Sequence, residues 1–124
     1  MDFTGIQKLF DEQEDRKILV HNAVVKLGVD GFVEEFGAFS VYSNICGMSV
    51  DYDLSEIGFM VYNISPNQLG EGGVYHSQMN KGYDRIASLA NLSKDSKDKM
   101  DLLCRIGEME FGKNGKVIPF LLKK

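Results

Sequence analysis

The chain has 124 residues, 44% of them hydrophobic and 26% charged, with only two prolines, which excludes disordered, collagen-like and low-complexity classes. That length buries a core as one domain over residues 1–124 without metal or disulfide staples. A net charge of −4 excludes the strongly basic character of a generic nucleic-acid binder, so nucleic acid is not an expected partner.

The first element is one long helix over Asp2–Leu27, or two short ones broken near its charged middle. Phe3, Ile6, Leu9, Phe10, Val20, Ala23, Val24 and Leu27 recur at threes and fours around the charged run Asp11–Lys17. Gly28 closes it in the manner of a left-handed C-terminal residue, and Val29-Asp30-Gly31 reads as a turn. The period then changes to two: Phe39–Tyr42, Met48–Asp53 and Ile57–Ile64 read as three strands, and their short connections favour an antiparallel meander.

Ser65-Pro66-Asn67 ends the third strand and leads into the glycine-rich stretch Gln68–Gly73. Helix resumes near Tyr75 with Met79, Tyr83, Ile86, Leu89, Ala90 and Leu92 on one face. A further short helix, capped by Ser93 or Ser96, carries Met100, Leu102, Leu103 and Ile106. Asn114-Gly115 between apolar runs predicts a terminal hairpin, with Pro119 placing the returning strand at an edge. The expected fold is therefore α+β: an N-terminal helix, an antiparallel sheet built from the meander plus the hairpin, and one or two helices packed on one face. Its expected core is Phe39, Val41, Val50, Phe59, Val61, Ile86, Leu89, Leu103, Val117 and Phe120.

No window approaches the ~18 apolar residues of a membrane span, and Met1–Gly5 lacks the basic start of a secretory leader, so a cytoplasmic protein without membrane partners is expected. In that compartment Cys46 and Cys104, each among apolar neighbours, are expected as reduced core thiols. They show no paired spacing with His21 and His76, so no metal is expected, and Asp51, Asp53 and Glu56 lack the glycine and distant glutamate of a calcium loop. Neither a nucleophile elbow nor a cysteine signature is present, which leaves no candidate catalytic residue.

The charge is split. Residues 1–62 hold eleven acids and four bases, residues 63–124 seven acids and ten bases. With eight Phe, five Tyr and six Met, types that enrich interface cores, this favours a small non-enzymatic binding protein acting by association, as an inhibitor, adaptor or sequestering factor. Asp11, Glu12, Glu14 and Asp15 are its candidate partner-binding residues. An acidic helix and a basic C-terminal half also predict a two-fold homodimer.

The alternative is a binder or transferase for a phosphate-bearing small ligand, a nucleotide or coenzyme A, at the loop of Gly70, Gly72 and Gly73. A glycine-rich loop that opens a helix gathers backbone N–H groups and the positive helix end. His76, Ser77, Lys81 and Arg85 follow on that helix and complete the candidate ligand-binding set. Over this one loop the x-x-G-x-G spacing resembles the pyrophosphate loop of coenzyme-A-dependent acetyltransferases, with Asn67 standing where that pattern has Gln or Arg and Glu71 adding a negative charge. No cofactor is otherwise implied.

Overall fold

Four α-helices and a short 3-10 turn hold 74% of the described residues in the computed structural model, which describes residues 3–124. The expected helix start at Asp2 and the apolar side chain of Phe3 lie outside the described residues. In chain order come α1 (Phe3–Cys46), β1 (Ser49–Val50), α2 (Tyr52–Val61), a 3-10 turn at Pro66–Gln68, α3 (His76–Ser93), α4 (Lys97–Phe111) and β2 (Leu122–Lys123). The expected meander and terminal hairpin are absent: among the described residues the sheet is two short antiparallel strands, Ser49 opposite Lys123 and Val50 opposite Leu122.

The correction begins at Gly28. Its backbone, at φ 75° and ψ 170°, lies in a region essentially reserved for glycine, yet helix resumes at once over residues 29–46. The glycine is a joint inside α1 rather than its end. Beyond it Phe32, Phe36 and Phe39 recur at four and three, and their rings meet at 6.4 and 5.0 Å. This stripe faces α2, where the Phe59 ring sits 5.4 Å from Phe32 and 4.9 Å from Phe36, both edge-on. Burial of that stripe outweighs the β propensity of Phe39-Ser40-Val41-Tyr42.

The second expected strand ends where α2 begins. Asp51 caps α2 by accepting from the Leu54 backbone N–H at 3.1 Å, and Leu54, Ser55 and Gly58 turn inward at helical spacing. α3 and α4 lie close to their expected places, and Ser96 caps α4 through the Lys99 N–H at 3.3 Å. α4, however, runs on to Phe111. Asn114, with φ 63°, does turn the chain, but back along the end of α4: the N–H groups of Lys116 and Val117 donate to Met109 and Glu110. The returning segment therefore reaches Ser49 and Val50 instead of a hairpin partner.

α1 packs on α3 almost backbone to backbone. A Cβ added at Gly37 would lie 2.1 Å from the Met79 carbonyl oxygen, and one at Gly82 would lie 1.8 Å from that of Glu34. Two aromatic rings complete the contacts of α1, Phe32 resting over Gly58 of α2 and Tyr42 over Gly107 of α4. The latter approach brings the end of α1 to α4, where Cys46 and Cys104 are joined in a disulfide with Cα atoms 5.6 Å apart. The expectation of two reduced thiols is thereby overturned, since this helix crossing places them at bonding distance.

The core that results is centred on α1. Of the residues expected in it, Phe39, Val41, Ile86 and Leu103 are buried, Val50, Phe59, Val117 and Phe120 are partly buried, and Val61 and Leu89 are exposed. Val20, Val24, Phe32, Val33, Tyr42, Phe111, Ile118 and Leu121 are the largest fully buried side chains outside that expected core. Among the described residues no helix is long and apolar enough to cross a membrane.

Candidate functional site

The aromatic stripe of α1 is not wholly covered by α2. Between them, closed at one end by the turn after α2, lies an open cleft of about 760 Å³. Its walls are apolar: Phe36 and Phe39 from α1, Phe59 and Met60 from α2, and Ile64 and Leu69 from the connection to α3. Tyr52 and Met60 stand at the rim, 75% and 76% exposed. The three serine hydroxyls that line it are already committed to backbone carbonyls, Ser40 donating to Phe36, Ser43 to Met48 and Ser55 to Tyr52, at 2.7–2.9 Å, and Tyr52, Asn44 and Asn63 add further polar groups to the lining. Glu56 is the one charged side chain in the lining. A cavity of this size and polarity accepts an apolar group, with a cation beside it to meet Glu56.

The glycine-rich loop is built differently from a phosphate cradle. The N–H of Gly73 donates to Gly70, that of Tyr75 to Gln68 and that of His76 to Gly73, so these donors serve the loop itself. His76 ties the loop to α3: its Nδ1 donates to the Leu69 carbonyl at 2.8 Å and its Nε2 accepts from Asn80 Nδ2 at 3.1 Å. Gly70, Gly72 and Ser77 are exposed.

Lys81 and Arg85 face α1, away from the loop. Lys81 Nζ lies 3.6 Å from Glu34, and the Arg85 guanidinium reaches Glu34 at 2.9 Å and Glu35 at 3.2 Å. Burial works against the charge of Arg85, but Glu35 and Glu34 outweigh it and hold the guanidinium above its usual range. Glu110 of α4 belongs to the same cluster. Its carboxyl is pushed above the usual carboxylate range, by burial first and by the charge of Glu35 second, with Arg85 pulling it back. The phenol of Tyr42 is raised to about 12, again mostly by burial and then by Glu110. Arg85 ties α3 to α1 through Glu34 and Glu35, while Glu110 of α4 stands beside them with a carboxylate oxygen that has no hydrogen-bond partner.

The four candidate partner-binding acids lie on the N-terminal part of α1, where every described side chain from residue 4 to residue 19 is exposed. Asp11 accepts from Gln7 at 3.1 Å and Glu14 pairs with Lys17 at 3.3 Å. They are far in sequence from the cleft, whose lining comes from residues 36–69. Sequence reasoning missed the cleft because no motif marks it; the available signal was the Phe32, Phe36, Phe39 spacing. Comparison of the chain with protein-family models, curated proteins and solved structures finds no match.

Proposed function

We propose that this protein acts by association, taking an apolar anchor from a protein partner into the cleft between α1 and α2. The observation that carries this reading is an open, aromatic-walled cavity whose serine hydroxyls are already satisfied, so that most of what it offers is apolar surface. Glu56 at the lining selects an anchor flanked by Lys or Arg. The cleft therefore suits a short segment with one large aromatic or branched side chain next to a base, and the protein is a binding module rather than an enzyme. A phosphate-bearing ligand has less to hold it, because Lys81 and Arg85 are matched by Glu34 and Glu35.

A displayed random-peptide library selected on the folded protein tests the proposal. Enriched peptides are expected to share a large apolar residue beside Lys or Arg, and to bind about tenfold or more weakly to Met60→Glu and Glu56→Lys. Both positions are exposed, so the variants keep the fold. Failure to enrich any such motif, or binding indifferent to both substitutions, refutes the cleft as the binding site.

A further inference from the structure

Residues 4–19 of α1 form an exposed arm, yet this arm is not polar all round. Leu9 and Phe10 are 61% and 59% exposed, and Ile6 is 43% exposed. Leu9 and Val20 are separated by three helical turns, Ile6 and Val24 by five, so each pair shares one side of the helix. Val20 and Val24 are fully buried against the body of the protein. The apolar face that seats α1 on its own domain thus continues along the arm with nothing of this chain beneath it. An uncovered helix of this length is marginal in water, and its stability comes from packing its apolar face.

The inner corner where the arm meets the body is basic. Arg16, Lys113 and Lys123 line a pocket of about 430 Å³ there, with the Arg16 guanidinium 5.2 Å over the Phe120 ring. Asp51 shares the pocket and is engaged as the cap of α2. No carboxylate pairs with any of the three bases among the described residues. The arm immediately before this corner carries Asp11, Glu12, Glu14 and Asp15.

We propose that a second copy of this chain covers the arm in a two-fold dimer. Each arm buries Ile6, Leu9 and Phe10 on the other copy and lays Glu12 and Glu14, the acids that flank this apolar face, along the other copy's corner of Arg16, Lys113 and Lys123. The reason for choosing a second copy is that both complements are present in one chain and adjoin each other: the acidic run ends at Asp15 and the basic corner starts at Arg16. One two-fold axis near that junction sets each run against its opposite, the self-complementary patch that an isologous contact requires. A membrane surface fits less well. Helices that lie on membranes carry Lys and Arg on the polar face, whereas this face carries Asp11 and Asp15 and is repelled by anionic headgroups. The proposal concerns a surface separate from the cleft and stands or falls independently of it.

Sedimentation equilibrium on the full chain, from low micromolar to near-millimolar concentration, tests it. The wild type is expected to approach twice the chain mass, and high salt to weaken that association by screening. Leu9→Glu with Phe10→Glu is expected to give a folded monomer, its tertiary structure checked by near-ultraviolet circular dichroism. Lys113→Glu with Lys123→Glu is expected to weaken the dimer about tenfold or more, and addition of Glu12→Lys and Glu14→Lys to the same chain to restore it. A wild type that stays monomeric throughout overturns the proposal, as does a dimer indifferent to the arm substitutions. A dimer that ignores the lysine reversals overturns the assignment of the corner. If the wild type is monomeric and instead pellets with phosphatidylcholine–phosphatidylglycerol vesicles through Leu9 and Phe10, the arm is a membrane element and the dimer is refuted.

Discussion

Gly82→Ala is the most direct probe of how α1 and α3 are held together. In an exposed helix interior Ala is better than Gly by about 1 kcal/mol, so a change at Gly82 judged from helix propensity alone stabilises. Here the added methyl would sit 1.8 Å from the Glu34 carbonyl oxygen, where ordinary contact begins at 3.4 Å. The obstacle is backbone in the middle of a helix, and a rotamer change does not relieve it. The two helices must part by more than an ångström, loosening the packing around Ile86 and Ala90, both buried on α3. Overpacking of this kind costs about 3 kcal/mol or more, so the net loss is about 2 to 3 kcal/mol after the propensity gain. At about 4 °C per kcal/mol for a chain of this size, Tm falls by about 8 to 12 °C. Urea denaturation followed by circular dichroism measures the loss, with Ser88→Ala on the exposed side of α3 as the control for propensity. Gly37→Ala meets the same crossing from the other side, 2.1 Å from the Met79 carbonyl oxygen, so the double variant is expected to lose less than the two single losses together. A Gly82→Ala protein as stable as the wild type or more so refutes the close crossing.

The disulfide closes a separation of 58 residues, so replacing Cys46 and Cys104 by Ser is expected to cost about 4 kcal/mol on the chain-entropy relation; a loss under about 1 kcal/mol in urea denaturation contradicts that. Tyr42 titrates near 10 when unfolded and at about 12 when folded. Its contribution is fully present below pH 10 and lost as pH rises toward 12, an amount of about 3 kcal/mol that Tyr42→Phe should remove from the alkaline limb of the stability curve. Glu110 is likewise raised in the folded state, so its contribution is present below the unfolded carboxylate value and lost as pH rises through the folded one. Glu110→Gln is expected to gain stability relative to wild type at pH 7 but not at pH 4, and equal differences at the two pH values refute the assignment.

What was legible in the sequence was what repeats within one element. Met79, Ile86 and Ala90 mark α3, and Ser96 announces α4, because periodicity and capping are local. The N-terminal half misled for a physical reason. Gly28 and Gly31 looked like punctuation, and once the helix was ended there, the Phe32, Phe36, Phe39 series was cut off from its own beginning. What remained, Phe39-Ser40-Val41-Tyr42, has strand propensity and nothing to oppose it. Asp51 with Leu54 three residues on was a capping signal hidden inside an apparent alternation. The continuous apolar run from Ile57 to Ile64 suits a buried helix as well as a buried strand. The disulfide and the cleft were illegible in principle, since Cys46 meets Cys104, and Phe39 meets Leu69, only after the helices have crossed. Lys81 and Arg85 follow the loop on one helix, but their partners Glu34 and Glu35 lie some fifty residues away.

The final stretch of chain has a consequence for synthesis. Ile118, Leu121 and Leu122 are essentially inaccessible to solvent, and Leu121 accepts a hydrogen bond from the N–H of Asp51. Until residues 118–122 are added to the growing chain, the ledge formed by Ser49–Asp51 therefore lacks its lid. Vectorial folding leaves this edge open until those residues emerge, and a chain cut before Leu121 lacks the strand that pairs with Ser49 and Val50.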